Sequence, residues 1–115
     1  QPATPVQLMR SRYSAFCKGK IDYLIATHHP SQRKADDRQT LAQTSADTEW
    51  LALRILHTDE SQIAAGVGTV EFVAFYTSQG RLGQLHEKSE FIRQADRWYR
   101  WVRGPGEPEP RANSR

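Results

Sequence analysis

LGQLHEKSEFIRQADRWYRWV, residues 82–102, decides the fold. Its side chains alternate in polarity as far as Ala95-Asp96 and alternate again beyond, the period of a strand, a turn and a second strand. A further alternating run, Val67 to Thr77, lies just upstream, so the three segments read as an antiparallel meander. A first hairpin turned at Gln79-Gly80 sets Ala74 opposite Leu85, Phe72 opposite Glu87, Val70 opposite Ser89 and Glu71 opposite Lys88. A second turned at Ala95-Asp96 sets Arg93 opposite Trp98, Ile92 opposite Tyr99 and Phe91 opposite Arg100. Ala-Asp is a poor two-residue hairpin turn, because neither residue takes positive φ as glycine does. A slip of one residue there exchanges the faces of the last strand.

These registers sort the side chains onto two faces. One carries Val70, Phe72, Ala74, Tyr76, Leu85, Phe91 and Trp98 and is the expected core side, yet it also holds Glu87, Ser89, Arg93 and Arg100. Polar groups on a core face must find partners or line a wet cavity. The other face mixes Glu71, His86, Lys88 and Glu90 with Val73, Phe75, Ile92, Tyr99 and Trp101. That apolar patch is expected to be a partner surface, for instance of a homodimer.

Working outward, residues 6–19 (VQLMRSRYSAFCKG) read as a helix opened by Pro5 and ended by Gly19. Leu8, Met9, Tyr13, Phe16 and Cys17 form its apolar stripe, and Cys17 is expected in the core. IDYLIATHH, residues 21–29, reads as a second short helix stopped by Pro30. A polar stretch follows, with one helix at about residues 37–46. Trp50 to His57 is a strand, apolar on both sides as a central strand is. Helices first and four strands after predict an α+β fold, with the helices on one side of an antiparallel sheet. Residues 1–102 make one domain, and residues 103–115, rich in Pro and Gly, an extended or disordered tail.

Composition narrows the function classes. The chain has 115 residues, 16 Lys+Arg, 13 Asp+Glu and a formal charge of +3, with the basic residues dispersed. No nucleic-acid footprint is therefore expected. Nor is a membrane span, since no apolar run approaches the needed length. Cys17, the only cysteine, excludes an internal disulfide and fits a cytoplasmic setting. The chain opens on Gln1, and its only methionine is Met9, so a piece of a longer protein is expected.

Chemistry is sparsely marked. His86 and Glu87 are neighbours on a strand and point to opposite faces, so they cannot act together. Glu87, on the core face, is either an ion-pair partner of Arg10, Arg12 or Arg93, or an acid-base carboxylate in a pocket. His28-His29, at a helix end, supply too few ligands for zinc, and no metal is expected. His28 is expected to cap that helix or to bond to Trp98 or Glu87. Tyr13, Trp50 and Trp98 are candidate pocket walls. No nucleophile elbow, phosphate loop or dinucleotide fingerprint occurs.

LMRSRYSAF (residues 8–16) and DYLIATHHP (22–30) resemble the helical signature of the YchJ-like family. EFVAFY, LHEKSEFIRQ and RWYRW resemble its meander, with Ala95-Asp96 where the family has Asp-Gly and Arg100 where it has a second tyrosine. The resemblance runs from Val6 to Val102. It implies a nuclear transport factor 2-like (cystatin-like) cone, in which a curved antiparallel sheet wraps the N-terminal helices around a pocket. Family members carry a SEC-C zinc motif before this domain. The motif is absent from this chain, so no cofactor is expected unless one lies outside it. The motif positions carried over are Arg10, Arg12, Tyr13, His28, Glu87, Ser89 and Trp98; with Trp50 they are the candidate pocket residues. The expected function is a non-catalytic module of a cytoplasmic bacterial protein that binds a small molecule or another protein. The alternative is an isomerase-, dehydratase- or hydrolase-type enzyme using Glu87 or His28.

Overall fold

Thr4 starts the first helix. Its hydroxyl accepts the Gln7 amide hydrogen at 3.2 Å, and Pro5 follows with its φ already helical. This computed structural model describes residues 2–102; the expected tail from Arg103 lies outside them. Helix α1 runs Pro5–Lys18 and ends at Gly19, whose left-handed φ of 67° lets Lys20 N–H reach back to Ala15 O at 2.8 Å. Helix α2 is Ile21–Ala26 and α3 is Asp37–Asp47. Strands β1 (Glu49–Asp59), β2 (Val67–Ser78), β3 (Arg81–Gln94) and β4 (Arg97–Trp101) form one antiparallel sheet in sequence order. Among the described residues no helix is long and apolar enough to cross a membrane.

Every register read from the alternation is present, from Val70 opposite Ser89 to Phe91 opposite Arg100. Both hairpins turn at the expected pairs. Gln79 and Gly80 have φ of 52° and 78°, and Ala95 and Asp96 have 53° and 63°. All four are left-handed, as the strand-matching primed turns require. The unfavourable Ala-Asp pair is thus forced into the conformation it resists, because a one-residue slip would turn Trp98 out of the core.

The helices cover the expected face. Leu8 of α1 meets Val70, Phe91 and Trp98 in the core, with Val6, Met9, Ile55 and Ile63 packed around it. Burying each large side chain contributes roughly 1.5–3 kcal/mol. Gly68 brings the start of α1 against β2: a Cβ there would lie 2.6 Å from Pro5 Cγ.

Four expectations change. Cys17 is exposed, because the buried side of α1 is Pro5, Leu8, Arg12 and Ala15, with Arg12 near its centre. Helix α2 stops at Ala26, since Thr27 to His29 turn to pair with β4. Arg100 N–H donates to Thr27 O at 2.8 Å, and His29 N–H to Arg100 O at 2.9 Å. Consequently His28 forms a parallel bridge with Arg100 and does not cap the helix. Strand β1 is an edge strand, not a central one. Its register shifts at Leu51 and at Leu56, and these two bulged leucines are the half-exposed ones that made both sides look apolar. Bulges also spoil β1 as a template for further strands.

Two stability changes follow from this geometry. Ala95→Asn with Asp96→Gly supplies the residues a primed turn prefers, and should raise stability by about 1 kcal/mol in urea unfolding. Gly68→Ala must push the rigid Pro5 ring away, and should lower it by about 1–3 kcal/mol.

Candidate functional site

Between α1, α3 and the concave sheet face lies a hollow of about 270 Å³. Helix α1 contributes Met9, Arg12, Tyr13 and Phe16, one helical side, and α3 contributes Leu41 and Thr44. Trp50 comes from β1, Phe72 and Ala74 from β2, Leu85, Glu87 and Ser89 from β3, and Arg100 from β4. Trp50 is wedged by three rings, with centroids 6.2 Å from Tyr13, 6.0 Å from Phe16 and 5.3 Å from Tyr76. Its indole N–H is buried and has no hydrogen-bond partner among the described residues.

Arg12 is 5% exposed. Its Nη1 donates to Leu24 O at 2.9 Å and to Thr27 Oγ1 at 2.6 Å, closing the end of α2. None of the ion pairs found among the described residues involves it. Burial first, then repulsion from Arg100, draws its pKa down to about 9, with Tyr23 opposing. It therefore stays charged at neutral pH. Arg100 is also lowered by burial, and Glu87 opposes that shift. The carboxylate of Glu87 is 3.8 Å from Arg100 and its side chain is 42% exposed. Ser89 Oγ donates weakly to Glu87 Oε1 at 3.4 Å. Burial holds the Tyr13 pKa above its usual value, and the neighbouring Cys17 thiol adds to the shift.

A smaller hollow of about 160 Å³ adjoins, lined by Leu24, Ile25, His28, Asp37 and Thr40, and shares Arg12, Leu41 and Arg100 with the first. His28 is lowered to about 4 by burial, then by Arg100 and Arg12, with Asp37 opposing.

Of the eight residues expected from sequence, Arg12, Tyr13, Trp50, Glu87 and Ser89 share the main hollow. His28 lines the smaller one. Arg10 is exposed, because it points away from the buried side of α1. Trp98 is 6% exposed and belongs to the core, beneath the Arg93 guanidinium at 5.4 Å. The partner of Glu87 is Arg100, not Arg10, Arg12 or Arg93. Face assignment had already set Arg100 on the concave side; Leu41 and Thr44 carried no signal, because α3 has hardly any apolar side.

On the convex face, His86 Nε2 pairs with Glu71 at 2.7 Å. Val73 and Ile92 are 8% and 1% exposed within the single chain, so they add little to the dimer surface expected there. Tyr99 and Trp101 are half-covered by His29, whose ring stands edge-on at 5.6 and 5.1 Å. His29 Nε2 meets Gln94 Oε1 at 2.6 Å while Nδ1 accepts Ser31 N–H at 3.1 Å. His28 and His29 thus face opposite sides. Among the described residues no three His, Cys, Asp or Glu side chains converge.

The model of the YchJ middle NTF2-like domain matches residues 4–104. A UPF0225 protein of Serratia proteamaculans is 39% identical over 98% of this chain and 73% of its own length. One of Pectobacterium carotovorum is 43% identical over 84% of this chain and 64% of its own. The chain thus spans about two thirds to three quarters of these relatives. A SEC-C motif containing protein from Rhodopseudomonas palustris superposes with a TM-score of 0.80 at 33% identity, over 89% of this chain and 78% of that one. A putative NTF2-like transpeptidase from Campylobacter jejuni, 10% identical, matches over 87% of this chain and 99% of its own with a TM-score of 0.58, a likeness of fold alone. Matched along nearly all of its described length, this chain belongs to the family of the YchJ middle NTF2-like domain.

Proposed function

We propose that this domain is a non-catalytic binding module that takes a small molecule into the concave hollow. The observation that carries the reading is an aromatic-walled space of about 270 Å³ with the charged, 5% exposed Arg12 in its wall and no carboxylate paired to it among the described residues. A filled cone would leave nothing to bind, and a hydrocarbon pocket would not keep a buried cation. The cytoplasm remains the proposed location, on the lone thiol of Cys17.

The enzymatic alternative needs an acid or base held near neutrality. Glu87 stands 3.8 Å from Arg100 with its side chain 42% exposed, so the hollow does not enclose it as an acid-base group would need. His28, at about 4, is neutral at pH 7 and gives no general acid there.

Fragment screening by amide-shift NMR tests the binding reading. Shifts should gather on Tyr13, Phe16, Trp50 and Leu85, and Ala74→Leu, which adds bulk to the hollow wall, should weaken the best fragment about tenfold or more. No fragment shifting these residues at millimolar concentration would refute it.

His28 generates a second expectation. Its folded pKa is below its unfolded one, so the unfolded chain binds more protons between about 6.5 and 4. Stability from this group is present above pH 6.5 and is lost as pH falls toward 4. Burial drives that loss first, then Arg100, Arg12 and Arg33 by opposing the proton, and Asp37 moderates it. His28→Gln should flatten the urea midpoint across this window relative to the parent chain.

A further inference from the structure

The charged groups of the main hollow do not cancel. Two guanidiniums, Arg12 and Arg100, face one carboxylate, Glu87. Arg12 commits only Nη1 to Leu24 and Thr27, and its Nε and Nη2 make no hydrogen bond among the described residues. Arg100 approaches Glu87 at 3.8 Å, too far for a hydrogen bond. Asp37 does not supply the missing charge to this hollow; it lines the smaller one and accepts Lys34 N–H at 2.8 Å. Unspent donors in a low-dielectric wall are costly unless an acceptor arrives.

We infer that the hollow takes a monoanionic carboxylate on a flat apolar body, with the carboxylate between Arg12 and Arg100 and the body against Trp50, Phe16 and Leu85. This inference rests on the binding reading above and names its ligand class. One negative charge balances the excess of one guanidinium, and two oxygens match the guanidinium fork. A phosphate monoester carries roughly −1.5 to −2 at pH 7 and would oppose Glu87. The volume lies below the roughly 300–1,000 Å³ of drug-sized sites, so the body is no larger than about two fused rings.

The test titrates the domain with 1-naphthylacetate, 1-naphthylacetamide and 1-naphthyl phosphate, following the Trp50 indole and backbone signals by NMR. The carboxylate should bind at least about tenfold tighter than the isosteric amide. In Arg100→Gln, which removes no side-chain hydrogen bond among the described residues, that preference should fall to within about twofold. Arg12→Lys should weaken the carboxylate more than the amide; if it unfolds the domain, Arg100→Gln decides alone. Equal binding of acid and amide, or tighter binding of the phosphate, overturns the carboxylate inference and leaves the binding reading intact. Failure of all three probes to shift the hollow overturns both.

Discussion

A guanidinium bound to the end of a helix holds the concave side together. Arg12 sits near the centre of the buried side of α1 and donates to Leu24 O and Thr27 Oγ1. Leaving water costs a charge several kcal/mol, and hydrogen bonds to charged groups return about 1.5–3 kcal/mol each. The contact also dictates where α2 ends. Once Thr27 is held by Arg12, its carbonyl is free to accept Arg100 N–H, and His29 completes the short parallel pairing with β4. Gln32 extends the clasp, with its amide side chain exchanging two hydrogen bonds with the Val102 backbone at 2.6 and 2.9 Å. One buried cation thereby links α1 to α2 and α2 to the far edge of the sheet.

The two edges of the sheet are protected by different means. Strand β4 is covered by residues 27–32, while β1 is left open and interrupted by bulges at Leu51 and Leu56. Between the edges, the hollow owes its space to small side chains on the concave face. Ala74 and Ser89 stand where larger residues would have met α1. The same face is closed at its other end by Leu8 against Phe91 and Trp98. Rigid core and open cavity therefore share one sheet, and packing at the first fixes the shape of the second.

The meander was legible because burial enforces period two over long segments. Val70, Phe72 and Ala74 alternate against Leu85 and Phe91 so consistently that one pairing alone puts all five on the helix-covered face. That demand overrode local preference at Ala95 and Asp96, both bent into left-handed backbone. Helix α1 was legible as a helix, but its phase was misjudged. Apolar periodicity placed Cys17 inside and left Arg12 out of the stripe, whereas Arg12 is buried and Cys17 exposed. A hydrophobic pattern cannot reveal a charged residue at the middle of a buried stripe, because the signal it reads is lowest there. Strand β1 misled for the opposite reason, since its bulged leucines add apolar residues that face solvent.

By itself, the sequence determined the element order, both hairpin registers, the face on which Glu87, Ser89 and Arg100 lie, and the family to which the chain belongs. These follow from local periodicity and from motif residues, and neither needs the path of the rest of the chain. Tertiary structure alone decided that Glu87 meets Arg100, that His28 and His29 part to opposite sides of the sheet, and that Leu41 of α3 closes the hollow. Each depends on how far apart segments dock, and a docking distance is set by the volumes of all the side chains between them, which no single stretch of sequence contains.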